Sequence, residues 1–432
     1  MPPTREKPPT VFLGPLEISG YYGNLERGFT EIGVRARLVT LHPNPFGFEQ
    51  PQPNPWPARL ASRAVLMHRK AAAPVRLITG GLYLLACVLV LLWSLPRFNS
   101  YVFTWGMSLL PWNLDVPLLR LLGKRVIVVL GHGSEARPPY MSTPPPGSPP
   151  FAGQMLRRLA AETDRTARKV RRIERWATWV IGLPVTGQFF TRPFANFYAL
   201  GIPTPQPADG APKTSVDGLD VAEIVVVHVP SKPEVKGSAF IRECMDTIVA
   251  RYPHVRYVEL TGRPHAEILQ AIRGATFVVD QLWSDIPMAI VGTEAAALGK
   301  ATVIGGYAWG YWKRFLAAED WPPTVTTLPE DLLATLESCI ADVGGMAELG
   351  AQARQFVATR WSPVAVARNY LRILAGDIPD DWLIAPSDIT YGYGCGVSRE
   401  HVDVMVKGLA DRYGTHSLRW PLASQVYELD EL

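Results

Sequence analysis

Short runs of branched and aromatic residues alternate along the chain with longer stretches of helical spacing. Val11–Leu13, Val34–Leu41, Asn99–Trp105, Arg125–Leu130 and Thr178–Leu183 read as strands. Between the first two, Asn24–Ile32 puts Leu25, Phe29 and Ile32 at helical spacing, and Gly33 is placed to end that helix. An apolar helix is expected near Val116–Leu122 and a long one over Gln154–Trp176. Pro203–Gly218 has the composition of a linker, and the alternation resumes after it. Ile224–His228, Arg256–Leu260, Phe277–Val279 and Ala301–Ile304 read as strands. Phe240–Arg251, His265–Arg273, Glu330–Asp342, Met346–Thr359 and Val364–Leu374 read as helices. This order predicts an α/β chain with two Rossmann-like domains, at 1–204 and 219–376. Residues 377–432 follow as an extension, with an irregular TYGYGCGVSRE run and one helix over His401–Tyr413.

One stretch breaks the pattern. From Leu77 to Pro96 no charge interrupts the apolar run, and Arg59, Arg63, Arg69, Lys70 and Arg76 precede it. About 20 residues at 1.5 Å each are just enough to cross a bilayer. A crossing would put the flanking strands of one sheet on opposite sides of the membrane. A helix lying in one leaflet, or one buried in the core, is the more consistent expectation. The arginines suit an anionic surface.

Composition sharpens this. The chain has 432 residues, 47% of them hydrophobic and 19% charged, which suits two folded domains and excludes disorder. Net charge is +4, but residues 1–205 hold 24 Lys/Arg against 10 Asp/Glu, and the remainder is acidic. The first half therefore suits an anionic partner: a lipid head group, a phosphate or nucleic acid. Arg157, Arg158, Arg165, Arg168, Lys169, Arg171, Arg172 and Arg175 all fall on the expected 154–176 helix. No zinc-finger spacing or aromatic RNA-binding strand accompanies them, so nucleic acid is not expected. Cys87, Cys244, Cys339 and Cys395 are scattered, without the pairing of a disulfide framework or zinc site. The start of the sequence is polar and Pro-rich and does not read as a signal peptide.

Candidate chemistry gathers at expected strand ends. Phe277–Ile304 brackets Glu294 and the small-residue run Ala295–Leu298 between two strands. A carboxylate beside a helix start can accept from a sugar hydroxyl while backbone N–H groups face a phosphate, or can be a helix-start charge only. The strand over 125–130 runs into Gly131-His132-Gly133-Ser134-Glu135-Ala136-Arg137. His132 there is a candidate base or hydrogen-bond donor, with Glu135 and Arg137 as candidates for a hydroxyl and a phosphate; a structural histidine is the other reading. Gly14, Gly20 and Gly23 punctuate the first turn, at a spacing that is not a dinucleotide fingerprint.

The blocks FLGPLEISGYYGNLERGF, VIVVLGHGSEAR, HVPSKPEVKG, VVDQL and GTEAAALGKATV occur in this order over residues 11–375. In that order they resemble retaining glycosyltransferases of the GT-B fold, family-4 type. The resemblance implies two Rossmann-like domains facing a cleft, with a UDP- or GDP-linked sugar as donor and no metal or other cofactor. It implies that Lys236 contacts the donor diphosphate, that Lys232 replaces an arginine usual nearby, and that Glu294 holds the ribose. Gly292, Thr293 and Ala295 would offer backbone contacts, Asp280 and Gln281 belong to a variant donor block, and Gly20 and Gly23 match the glycine loop across the cleft. His132 matches an acceptor-side histidine, with Glu135 and Arg137 beside it. With the apolar and basic segments, the expected acceptor is a membrane-associated or lipid-linked glycan of cell-surface polysaccharide, met at the cytoplasmic face of the membrane. Two departures stand out: Ile286 occupies the position eight before Glu294, where a second glutamate is usual, and the arginine before Lys236 is absent. They favour, as the alternative, a non-catalytic GT-B scaffold or glycan-binding protein. A related epimerase would need an acid/base partner for His132 that the sequence does not offer.

Overall fold

A computed structural model describes residues 8–43, 50–70, 72–142, 153–207, 223–394 and 396–429. The Pro-rich run from 143 to 150, most of the expected linker (208–218) and Cys395 lie outside the described residues.

The first sheet is built from β1 (Thr10–Gly14), β2 (Arg35–Leu38), β3 (Ser100–Phe103), β4 (Arg125–Leu130), β5 (Trp179–Gly182) and β6 (Phe194–Asn196). These six are parallel, in the order 2-1-3-4-5-6. Helices α1 (Tyr21–Glu31), α2 (Trp56–Lys70), α3 (Ala73–Ser94), α4 (Asp115–Leu121) and α5 (Gly153–Trp176) cross between them, and the short α6 (Phe197–Leu200) follows β6. The strands inside the sheet are almost wholly buried, because alternate side chains serve two cores, while the edge strand β2 leaves Arg35 exposed. Phe12, Tyr101, Val126 and Val128 face a cluster shared with α3, α4 and α5. Val11, Leu13, Val102 and Ile127 face another that holds α1.

The second sheet is wholly parallel, order 11-10-9-7-8. It comprises β7 (Ile224–His228), β8 (Val255–Glu259), β9 (Phe277–Val279), β10 (Ala301–Gly305) and β11 (Val325–Thr327). Its helices are α7 (Pro233–Lys236), α8 (Ser238–Arg251), α9 (His265–Gly274), α10 (Ile290–Ala297), α11 (Trp309–Trp312), α12 (Leu332–Ala341) and α13 (Val343–Thr359). Helix α14 (Pro363–Ala375) leaves this sheet and packs against α1 of the first. The approach is close: a Cβ on Gly28 of α1 would lie 1.9 Å from the Pro363 carbonyl oxygen.

The two sheets face each other across a cleft, the GT-B arrangement expected from the sequence. One apolar cluster joins them, bringing Met288, Trp312 and Phe356 against Tyr21, Ile127 and Tyr198. Tyr198 donates to the Met288 carbonyl (2.5 Å), and Asn196 donates to that of Phe315 (2.9 Å).

Beyond α14, β12 (Leu383–Ile384) adds antiparallel to β6 at the edge of the first sheet. Then α15 (Arg399–Tyr413) packs on α5, and α16 (Ala423–Val426) closes the described chain.

Helix α3 is 22 residues, about 33 Å. The strands on either side of it, β2 and β3, have four residues each, about 13 Å. Its buried residues, apart from Thr79, lie from Ala86 onward. Its first turns and the end of α2 stand clear of the core, with Leu77 82% and Ile78 73% exposed. His68 of α2 bonds Thr79 of α3 at 3.1 Å and ties this hairpin. Because β2 and β3 both pair with β1, the hairpin leaves the sheet and returns to it on one side.

Candidate active site

The carboxyl ends of both sheets point into the cleft, where α/β folds place ligands. A cavity of about 870 Å³ is lined there by His132 and Tyr198 from the first domain. Lys236, Gln281, Ile290 and Glu294 line it from the second. A neighbouring compartment of about 630 Å³ shares Ser19, His265 and Glu294 with it and extends to Asn24, Arg27 and Arg273.

The sequence places Lys236 by a tight device. Gly237 follows it at φ +73°, where a side chain is strained, and a Cβ there would lie 2.6 Å from that of Leu282. Lys236 Nζ donates to Asp280 Oδ1 at 2.8 Å. Asp280 ends β9 fully buried, and its Oδ2 is without a hydrogen bond. Asp280 thus holds Lys236 rather than facing the cavity, which corrects the expectation of a direct donor contact. Lys232 is exposed and outside the cavity lining. Behind Lys236, His228 bonds the Val279 carbonyl and Ser238 Oγ, both at 2.8 Å. Burial lowers its pKa and keeps it neutral.

Helix α10 starts at Ile290, a turn before Glu294 rather than beside it as expected. Ala289 precedes it in extended conformation with no side-chain cap. The unbonded first-turn N–H groups that belong to cavity-lining residues are those of Ile290 and Val291. The Thr293 N–H is already given to the Ala289 carbonyl (3.0 Å), and Ala295 is buried a turn deeper. These two cannot offer their N–H groups to a phosphate, contrary to expectation. Gly292 is itself buried, facing Met288.

Glu294 is therefore one turn inside the helix, with its carboxylate on the cavity side. Oε1 lies 2.7 Å from His265 Nε2, at the start of α9. The carboxylate hydrogen bond raises the His265 pKa, against partial burial. His265 was not singled out in the sequence. The two residues are 29 positions apart and only the fold joins them.

Across the cleft, His132 Nε2 meets the Tyr22 hydroxyl at 2.7 Å. Tyr21, Tyr22 and Phe197 surround its ring at centroid distances of 5.1, 5.5 and 5.0 Å. Burial pushes its pKa down to about 3, so the imidazole is neutral at physiological pH. A neutral ring bonded at one nitrogen presents the other to a ligand as donor or acceptor, according to tautomer. Glu135 turns away from the cleft. It is 2% exposed, and its Oε1 accepts the His132 N–H at 2.5 Å, shaping the loop. Arg137 donates to Ser142 Oγ (3.1 Å) and is not part of the cavity lining. Neither is brought to the acceptor position expected of it.

At the first turn, Glu17 accepts N–H groups from Ile18 (2.7 Å), Tyr22 (3.2 Å) and Gly23 (2.7 Å). Its carboxylate occupies the start of α1, where an anion would otherwise bind. Gly20, at φ +80°, lines the smaller compartment, but Gly23 is buried with its N–H taken. Only the first part of the glycine loop reaches the cleft. Among the described residues no three His, Cys, Asp or Glu side chains gather as a metal site.

No family model matches the chain, and no curated protein does. Among solved structures, Anabaena HepE in complex with UDP is similar at 14% identity, over 85% of this chain and 100% of that one, with a TM-score of 0.47. The glycotransferase of kitacinnamycin is similar at 14% identity over 85% and 99%, TM-score 0.42. The spinosyn rhamnosyltransferase SpnG is similar at 12% identity over 84% and 100%, TM-score 0.41.

Proposed function

We propose that the protein is a retaining glycosyltransferase that moves a sugar from a UDP- or GDP-linked donor to a membrane-associated, lipid-linked glycan acceptor of cell-surface polysaccharide synthesis. The observation that carries this reading is one cavity between two Rossmann-like domains, with Lys236, the start of α10 and Glu294 on one wall and His132 on the other. In the reaction the bond from the anomeric carbon to the diphosphate oxygen breaks, and its electrons stay on that oxygen. The acceptor hydroxyl adds to the same carbon, and its proton passes to the departing diphosphate oxygen. The leaving group gains negative charge, which a lysine and free helix N–H groups stabilise if they are already in place. Asp280 holds Lys236 in place before any ligand arrives. Glu294 supplies acceptors for ribose hydroxyls, and neutral His132 hydrogen-bonds the sugar without adding charge.

The acceptor reading draws on the first domain. Exposed Leu77, Ile78, Leu84, Leu85 and Leu92 lie along α3, and exposed Leu118 and Leu121 along α4. Both helices pack on the face of the sheet that also carries the basic α5. An apolar strip beside exposed arginines suits an anionic lipid surface, with the protein peripheral to the cytoplasmic leaflet.

A thermal-shift screen against UDP, GDP, ADP and their sugar conjugates tests the donor half. One nucleotide class should stabilise the protein, by about 2.7 kcal/mol at a hundredfold excess over its dissociation constant. No shift with any of them, in a folded sample, moves the reading to a non-catalytic scaffold.

A further inference from the structure

We infer that the carboxyl-terminal extension is a strap that shapes the nucleotide cavity from behind, acting through Asp285 as a positioning residue. The inference rests on the donor-site reading above for its functional half only. The wall between β9 and α10 contributes Gln281, Ile286 and Ala289 to the cavity. Asp285 sits inside that wall, fully buried, at φ +54°. A non-glycine residue keeps such a conformation only where its surroundings impose it. Those surroundings come from two directions. From the turn after β10, the N–H groups of Tyr307 (2.5 Å) and Ala308 (3.1 Å) donate to Asp285 Oδ1, and the Trp312 indole donates to its carbonyl (2.6 Å). From the extension, Gly394 presses against the carboxylate, so that a Cβ there would lie 1.3 Å from Oδ2. Beside it the Gly396 N–H donates to the Trp283 carbonyl at 2.7 Å.

The extension that delivers Gly394 is fastened to both domains. On the first, β12 pairs with β6, and Gln188 donates to the Tyr391 carbonyl at 2.7 Å. On the second, Tyr391 stacks on Tyr311 at 5.3 Å, and the Arg399 guanidinium lies 5.0 Å from the Tyr307 ring. The strap therefore bridges the two sheets and presses on the back of the cavity wall before it runs on into α15. Asp285 is next to Ile286, which faces the ligand space, and four residues before Ala289, which sets where α10 begins. Any shift of Asp285 is passed to the N–H groups proposed to meet the phosphates. Asp285 touches no ligand space itself, and its carboxylate serves the wall.

The test is hydrogen–deuterium exchange of the 281–289 segment in the full chain, paired with titration of UDP and GDP. The variants are Gly394→Ala, Asp285→Asn and Asp285→Ala. Gly376→Ala is the control, since it carries the same left-handed strain at φ +79° with nothing within 4 Å of the new Cβ. In Gly394→Ala the segment should exchange about tenfold faster than in the control, and nucleotide affinity should fall by a similar factor. Asp285→Asn, which keeps one acceptor oxygen, should lose less than Asp285→Ala. Exchange in 281–289 that is unchanged, or that rises equally in Gly376→Ala, overturns the strap. Should Gly394→Ala not fold, the Asp285→Asn and Asp285→Ala pair decides by the same exchange readout. Faster exchange with unchanged affinity in a nucleotide-binding protein refutes the positioning role. A wild type that binds neither nucleotide refutes the donor reading instead, and the exchange result still decides the strap.

Discussion

Replacing Glu294 with alanine should weaken nucleotide binding while sparing the fold. The carboxylate is partly exposed on the cavity side of α10, and its one hydrogen-bond partner among the described residues is His265 at 2.7 Å. Truncation opens no core cavity, so its stability cost is the loss of one partly buried hydrogen bond to His265, about 1 kcal/mol. The binding cost is larger. A hydrogen bond to a charged group contributes about 1.5–3 kcal/mol, and a ribose hydroxyl deprived of it stays in a partly dehydrated cavity. The dissociation constant should therefore rise about 10- to 100-fold. Isothermal titration with the nucleotide found by screening reads this directly, and circular dichroism checks the fold. Glu294→Gln, which keeps one acceptor oxygen, should fall between wild type and alanine. A dissociation constant within twofold of wild type in a folded Glu294→Ala protein would refute the ribose assignment. His265 gives an independent check. Glu294 raises its pKa, so the pair's stabilisation is complete below pH 6.5 and is lost as pH rises through the raised value. Glu294→Ala should abolish that alkaline-side slope.

Three further outcomes follow from buried groups and exposed faces. Lys236→Met leaves the buried Asp280 carboxylate unpaired and should cost about 3–5 kcal/mol in urea denaturation. Adding Asp280→Asn should restore most of that stability but not nucleotide affinity. His132 stays neutral in the fold down to about pH 3, while the unfolded chain protonates near 6.5. Its contribution is thus full above pH 6.5 and declines as pH falls through that window, by up to about 1.4 kcal/mol per unit. His132→Asn should flatten this decline in denaturation curves taken at pH 5 and 7. Leu77→Asp with Ile78→Asp, both on the exposed part of α3, should leave the melting temperature nearly unchanged and abolish flotation with phosphatidylglycerol vesicles. Equal flotation of that variant and wild type would remove the basis for the membrane contact.

The strands and long helices were legible because each is a local pattern. Arg125–Leu130, Ile224–His228 and Phe277–Val279 are strands over the residues expected, and the long basic helix ends at Trp176 as expected. What was not legible is tertiary. The start of α10 carries no Ser, Thr, Asp or Asn cap, so no residue marked it a full turn before Glu294. Strand β12 is two residues long and exists only by pairing with the edge strand β6. An all-apolar run such as 77–95 gives no period from which to tell a buried face from an exposed one, so the division of α3 between core and surface had to come from the fold. Within the site, Lys236, Glu294 and His132 line one cavity. Asp280 and Glu135 were expected to touch ligand, but each is buried and holds another site residue or its loop. A carboxylate's direction depends on neighbours far along the chain. The Glu294–His265 contact and the Gly394–Asp285 contact were invisible for the same reason.

The most direct test of the central claim is sugar transfer itself. Purified protein is incubated with radiolabelled UDP- and GDP-sugars and lipid extract from the source cells, and label is counted in the organic phase as nucleoside diphosphate is released. The account predicts that one donor class labels the lipid fraction and that Lys236→Met with Asp280→Asn, or Glu294→Ala, abolishes the label. Folded protein that binds no nucleotide and transfers no label from any donor would contradict it.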